Sequence, residues 1–596
     1  MIGNILHPSL ILIIGALILP FVRGPIRRLY LMAVPIFALG AVLSLNATSG
    51  EFGIYHFMDW QLMFARVDKL SAIFGFIMAL MCVIGTLYGN HVDRAGEHMA
   101  AWFYVAGSLG TIYCGDYLSL FLFWEMMAFA STFLIWFRRG KNSTAVGYRY
   151  LLIHTLGGVV LLAGIMLRYQ ATSDISFTAL DVDHPQLYTY LIMIGFALNA
   201  AVVPLHSWLP DAYGEASFNG AVFMCAFTTK TAVYTLARSC SGFDILIVLG
   251  VAMAIYGVIY AIMENDIRKL LAWSIISQVG YMVAGVGIGT EMAINGACAH
   301  AVAHILYKGL LFMGTGTILY QTGKTKFTEL GGLYAKMPMT MIFTVVGCLS
   351  ISALPFFSGF VTKSMIISAA GEEHLYWVVF ALMFAATGTF IYNGLKLPYF
   401  IWFGKNNCSE ETLEKAEDPN WNMQMAMAFA ALGCILIGSF PQALYDMLPF
   451  GVDYHPYGGY HVAETLQVVG FAAIAFFMFK KYLEPRNTIS LDMDWFYRRG
   501  GNAFMWVARN PIQWFDNVWG EVYSGVGLLS LMTLSRFWSW FDWNAIDGVV
   551  DGIARCVRAM GGRARGLQAG QIQYTIYYAV TFIALIVTAF AFYQLS

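Results

Sequence analysis

Apolar residues run along the chain in blocks of about 20, parted by short polar loops, and that is the length an α-helix needs to cross a hydrocarbon core of ~30 Å. The blocks fall at 6–22, 29–46, 69–89, 98–114, 116–137, 147–168, 187–205 and 217–237. Eight more follow at 242–263, 267–290, 294–320, 337–357, 375–402, 422–440, 465–483 and 573–594. The pattern predicts an all-α polytopic membrane protein of about sixteen transmembrane helices. The first block is read as a span and not as a cleavable leader, because its arginines (Arg23, Arg27, Arg28) follow the apolar stretch. Between 485 and 572 the pattern changes, with tryptophans and arginines interleaved with Leu, Val and Ile, as suits a helix lying in an interface plane.

Composition agrees with the membrane reading. The chain is 59% hydrophobic and only 12% charged, where a soluble domain carries roughly a quarter charged residues. A net charge of −1 argues neither for nor against nucleic acid, but no concentrated basic region is present and no nucleic-acid partner is expected. Nine scattered cysteines without a CxxC predict no iron–sulfur cluster, zinc site or disulfide framework. No motif for a nicotinamide, flavin or quinone is present, so no cofactor, metal or catalytic centre is expected in this chain. Basic residues collect on alternate loops (Arg138/Arg139/Lys141, Arg268/Lys269, Lys324/Lys326/Lys336, Lys480/Lys481/Arg486), and the opposite loops carry Asp181/Asp183, Glu372/Glu373 and Asp446/Asp453. By the positive-inside rule both termini are expected on the outer side.

Ionisable residues inside a span cost about 2.5–3.5 kcal/mol on insertion scales, so each one asks for a reason. Glu125 sits mid-block in Phe123-Trp-Glu-Met-Met127, and Lys230 lies deep within 217–237. His300, His304 and Lys308 recur every four residues, which stacks them on one helical stripe at about 6 Å per step. Such a stripe can pass protons if water fills its gaps, and with no acidic or cysteine ligand beside it a metal site is the weaker reading. His154 is a further deep histidine, read either as structural or as a relay. Lys363 follows Pro355 and Gly359, and an earlier interruption lies at Val203-Pro-Leu-His-Ser-Trp-Leu-Pro-Asp211. Broken membrane helices open backbone groups that line hydrated sites in transporters. The two breaks lie five spans apart, an odd number, as inverted repeats require.

On the stretches around Glu125, Pro204–Ala212, Lys230–Arg238, Asp266–Gln278, His300–Lys308 and Leu354–Lys363, the chain resembles a known family. It is similar to the antiporter-like, proton-translocating membrane subunits of respiratory complex I, Mrp cation/proton antiporters and membrane-bound hydrogenases, over roughly residues 98 to 402. The resemblance implies two inverted five-helix repeats, at 98–240 and 241–402, after N-terminal helices in 1–97 and before further core helices in 403–484. It implies a central line through Glu125, Lys230, Lys308 and Lys363. A lysine is also implied where this chain has Asn199, which can bond a carboxylate but cannot neutralise it. Glu125 is then expected to pair with Lys230, or failing that with His154. The end of the chain resembles the outermost complex I subunit, which implies a lateral amphipathic arm at 485–572 and a terminal transmembrane anchor at 573–596. A helix of ~40 residues would reach about 60 Å and touch neighbouring membrane subunits.

Three functions follow as expectations. The first is proton translocation in a redox-driven, complex-I-like assembly whose electron transfer lies on other subunits. The second is a subunit of a Mrp-type cation/proton antiporter or an inorganic-carbon uptake system. The third is a scaffold with a weakened proton path, motivated by Asn199. Expected partners are other membrane subunits, the bilayer and protons, with sodium as the alternative ion. The expected location is a prokaryotic plasma (inner) membrane.

Overall fold

The computed structural model of the chain describes residues 6–488, 491–567 and 570–595, in two compact units, Met1–Asp494 and Trp495–Ser596. Residues 489–490 and 568–569 of the expected arm lie outside the described residues. In the first unit, α1 (Pro8–Ile18) and α2 (Pro25–Asn46) lead into strands β1 (Gly50–Phe57) and β2 (Trp60–Val67). Then come α3 (Lys69–Gly89), α4 (Ala95–Tyr113), α5 (Tyr117–Trp136), α6 (Ser143–Thr172), α7 (Leu187–Asn199), α8 (Trp208–Glu215), α9 (Gly220–Ala226) and α10 (Thr228–Ser239). The chain continues with α11 (Asp244–Met263), α12 (Ile267–Ile288), α13 (Glu291–Thr322), α14 (Pro338–Ile351), α15 (Ser358–Glu372) and α16 (Tyr376–Thr389), which runs on through π-turns toward Phe403. Last are α17 (Glu410–Lys415), α18 (Trp421–Ser439), α19 (Gln442–Tyr445) and α20 (Gly459–Met478).

The all-α expectation needs one correction. The segment between the second and third apolar blocks is an antiparallel hairpin, paired from Gly50↔Val67 to Phe57↔Trp60. Its tight turn places Met58 at φ 54°, and β2 buries Leu62, Ala65 and Val67 while β1 stays largely exposed. Asp116 accepts from Met63 N at 2.7 Å, which seats the hairpin against the start of α5.

Eleven described helices are long and apolar enough to cross a membrane by length and composition. Pro8–Phe21, Leu187–Asn199 and Pro338–Ile351 are apolar but shorter. The block 217–237 is parted into α9 and α10 at Phe227, and the stretch carrying Lys363 is a helix of its own, α15.

Caps explain where the helices begin. Asp68 accepts from Ser71 N, Asp116 from Ser119 N, Asp266 from Arg268 N and Thr290 from Ala293 N, each meeting amide donors that the first helical turn leaves open. Asp116 also bridges to Ser176, and Asp266 to Lys326, so the same clasp ties the start of α5 and of α12 to the chain leaving the next helix, α6 and α13 respectively. A second recurrence lies at the breaks. Ala201 after α7 and Ala353 after α14 both stand at φ 56°, and Val202 N and Leu354 N reach back to the carbonyls of Ala197 and Leu349.

The helices approach closely through small residues, the packing that serves inside lipid where apolar burial gives little drive. At the α11–α12 seam a Cβ on Gly257 would lie 2.5 Å from Ser277 N, and one on Gly280 would lie 2.5 Å from Gly250 O.

The first unit ends fastened to its own core. Tyr256 OH donates to Asp492 Oδ1 at 2.7 Å, Tyr260 OH to Leu491 O at 2.6 Å, and Asn265 Nδ2 to Asn487 Oδ1 at 2.8 Å. Buried His206, between α7 and α8, has Nε2 3.3 Å from Asp492 Oδ1. Burial pushes the Asp492 carboxyl up, but His206 and Tyr256 outweigh it and hold the group below its ordinary value.

In the second unit, helical turns run from Asp494 to Gly566, with π-turns at Ala508–Ile512, Tyr523–Leu528 and Asp542–Ile546. The run is longer than the ~40 residues expected, on the order of 110 Å by helical rise. It presents Trp506, Trp514, Phe515, Trp519, Trp538 and Trp543 to its surroundings. A separate apolar helix, Ile572–Leu595, follows.

Gly257→Val is expected to force α11 from α12 and destabilise the fold by about 1–3 kcal/mol. A lower thermal unfolding midpoint of the detergent-solubilised protein would show it, with Gly470→Ala, where a Cβ meets nothing within 4 Å, as the neutral control.

Candidate functional site

The predicted residues gather in two groups, joined by a helix that touches both. In the first, α5 brings Glu125 so close against α6 that a Cβ on Gly158 would collide with Glu125 Oε1 and push the carboxyl aside. One turn back along α6, His154 pairs its Nδ1 with Asn199 Oδ1 at 2.8 Å. The amide oxygen is an acceptor, so the imidazole Nδ1 donates. Asn199 is the last residue of α7 and stands at the lip of the break. The ring of His154 is enclosed by Tyr150 and Trp208, with centroids at 4.1 and 4.5 Å. Glu125 Oε1, His154 Nε2 and Asn199 Nδ2 are buried and have no hydrogen-bond partners among the described residues. Three open polar atoms this close are a natural place for water, which buried polar groups recruit.

The expected Glu125–Lys230 pair is not formed. Lys230 turns away to Cys225 O at 2.6 Å and Thr229 Oγ1 at 3.0 Å, and Glu125 makes no ion pair within 4.0 Å among the described residues. The break at Phe227 is the physical reason. Parting α9 from α10 opens the Cys225 carbonyl, and an ammonium finds that oxygen within its own helix pair. Among the described residues His154 makes no ion pair with Glu125 either: its Nδ1 goes to Asn199 and its Nε2 stays open.

The second group lies on α13 and α15. His300 Nδ1 is 3.1 Å from Thr362 Oγ1, and its Nε2 is 3.4 Å from Tyr307 OH. His304, one turn on, has a ring centroid 6.2 Å from that of His300, and both its nitrogens lack partners. Lys308 donates to Leu271 O at 3.3 Å. Lys363 donates to Ile351 O at 3.0 Å, the carbonyl that α14 leaves open at its end, and lies 5.2 Å from the centre of the Tyr281 ring. The C-terminal carbonyls of a helix carry its negative dipole end, so an ammonium is favoured there. All four side chains are buried, Lys363 at 2% exposure. Helix α10, which carries Lys230, packs on α7, α12 and α13 and so lies between the groups.

Other buried charges stand beside this row that were not predicted. Lys396 donates to Ile262 O and Glu264 O at the end of α11, at 2.5 and 2.8 Å. Its signal in the sequence is a lone lysine inside the apolar block 375–402. Glu97 accepts from Ser217 Oγ at 2.6 Å. Arg268, expected in a basic loop, is fully buried and donates to Ala216 O and Ser217 O. Glu97 is marked by no local motif, and Arg268, although inside the stretch Asp266–Gln278, reads there as a loop charge.

The site is thus a helical bundle with buried amines seated on main-chain carbonyls, two of them at breaks between helices. Residues 114–389 match the family described as NADH:quinone oxidoreductase/Mrp antiporter, transmembrane. Over that stretch the chain is similar to the antiporter-like membrane subunits of Mrp and complex-I-like assemblies. It is 26% identical over 571 residues to Na(+)/H(+) antiporter subunit A1 of Staphylococcus aureus, covering 84% of this chain and 71% of that one. Its fold is similar to a chain of the Mrp complex from Dietzia, at a TM-score of 0.69 and 22% identity, covering 98% of this chain and 62% of that one. It is also similar to a chain of the membrane-bound sulfane sulfur reductase, an archaeal respiratory membrane complex. That likeness has a TM-score of 0.65 and 21% identity, and covers 78% of this chain and 98% of that one.

Because Glu125 faces Gly158 and not Lys230, Lys230→Ala is expected to leave the Glu125 carboxyl stretch in infrared difference spectra where it is. Gly158→Ala should displace that band, with Glu125→Gln identifying it.

Proposed function

We propose that the chain translocates protons along the buried row Glu125, His154, Asn199, Lys230, His304, His300, Lys308 and Lys363, as one subunit of a larger membrane complex. One observation carries this reading. Each of the three lysines is buried, yet each holds its ammonium on a main-chain carbonyl and not on a carboxylate. A buried ion pair locks its proton, whereas an amine on a neutral oxygen can give it up when charge shifts nearby. Asn199 keeps its place in the row as the acceptor that orients His154, a role a lysine could not take.

We read residues 98–240 and 241–402 as inverted repeats. The matched clasps at Asp116 and Asp266, and the matched breaks after Asn199 and Ile351, support this. The run Asp494–Gly566 is read as a lateral arm on neighbouring subunits, supported by its length and its unburied tryptophans. Both termini are placed on the outer side of a prokaryotic plasma membrane. Redox-driven and cation-exchange assemblies would use this chain in the same way. The relative covering most of it is named for sodium/proton exchange, which supports the cation-exchange setting with sodium as the counter-ion.

Glu125→Gln, Lys230→Ala, Lys308→Ala and Lys363→Ala are each expected to slow proton translocation in vesicles by at least about tenfold, the low side of what a placed proton-transfer group contributes, while assembly persists. Parent rates in all four would end the proposal. Truncation before Leu491 should leave an inserted core that co-purifies poorly with its partner subunits, and normal co-purification would show that the arm is no clamp.

A further inference from the structure

Beside the second group lies a cavity of about 300 Å³ between α15, α16 and α20. It follows α15 from Ser352 at the break, past Lys363 and Ser368, to Gly371 next to the helix end. Its third wall, α20, is loosely seated, with only Ala472 and Phe476 buried. That wall adds an acid and a base to an otherwise apolar helix: His461 and Glu464 both face the cavity, with Nδ1 and Oε2 3.9 Å apart. The His461 ring stacks on Phe360 at 4.8 Å, and its Nε2 is buried without a hydrogen-bond partner.

The hydroxyls along the cavity are arranged to accept. Ser352, Ser364 and Thr387 spend their protons on the carbonyls of Cys348, Phe360 and Met383 of their own helices. Their oxygens keep free lone pairs for a donor such as water. The wall opposite Lys363 therefore carries a carboxylate and an imidazole with an open nitrogen, and acceptor oxygens line the cavity on the side of Lys363 and along α16. A cavity of this volume holds several waters, at about 30 Å³ each in the liquid.

We propose that this cavity is the hydrated outlet of Lys363, and that Glu464, positioned by His461, is the group that takes the proton there. A proton leaving the Lys363 ammonium crosses on water and is taken by the Glu464 carboxylate, leaving a neutral amine and a carboxylic acid. The assignment of Glu464 rests on the proton-translocation reading above; the hydration of the cavity does not.

Two measurements on the intact complex test it. Ser368→Cys and Thr465→Cys should react with a membrane-impermeant cationic thiosulfonate at least about tenfold faster than Phe471→Cys, which lies on the exposed face of α20, because thiols react as thiolates and need water. The parent chain supplies the background. Rates equal to that of Phe471→Cys mean a cavity filled by lipid and overturn the proposal. In vesicles, Glu464→Gln should slow proton translocation by at least about tenfold, with Glu464→Asp recovering most of it. Labelling at both cysteines together with a parent rate in Glu464→Gln removes the carboxylate from the path and overturns its assignment. If Lys363→Ala itself runs at the parent rate, the function proposed above fails, while the labelling result still decides whether the cavity holds water.

Discussion

The arrangement depends on what happens to a backbone carbonyl when a helix breaks inside a membrane. Such an oxygen loses its amide partner and meets no water from the hydrocarbon, which leaves it costly until a donor reaches it. Lysine is long enough to reach and strong enough to satisfy it. The ammonium gains in return an acceptor that bears no full charge. Breaks and buried lysines are therefore two halves of one solution, and each makes the other tolerable. The close glycine contacts, the clasped helix starts and the short loops serve to hold those few carbonyls in place.

The two groups of titratable residues are built differently. The second is rich in cations and imidazoles and lacks a carboxylate among its named members. The first has one carboxylate, one enclosed histidine and an amide where relatives are expected to have an amine. Asn199 sits at the lip of the break, yet it is the imidazole and not the carboxylate that it meets. The first group thus relies on neutral hydrogen bonding and open polar atoms, and the second on amines resting against carbonyls.

Much of the architecture was legible in the residues. Runs of about twenty apolar positions marked the helices, and four-residue spacing brought His300, His304 and Lys308 onto one stripe, as the structure has them. Pro355 and Gly359 marked a break that falls between Ile351 and Ser358. What was not legible depended on three-dimensional approach. The partner of Glu125 could not be read, since Gly158 matters only because it lacks a side chain where two helices touch. Arg268 looks like a loop arginine until the carbonyls it reaches, more than fifty positions away in the chain, are in view. The hairpin was hidden for another reason. Its strands are short and mostly uncovered, with only Leu62, Ala65 and Val67 buried, and it sits in a gap between blocks defined by a longer window.

The π-turns of the long terminal helix have a consequence of their own. Each inserts about one residue beyond the α-helical count, so the helix face that follows is set back by roughly 100°. The wide turns at Ala508, Tyr523 and Asp542 thus reset the direction in which each following segment faces. The helix therefore behaves like a vernier scale, its segments separately indexed to whatever lies alongside. The length of chain between resets is then as tightly constrained as its apolar character.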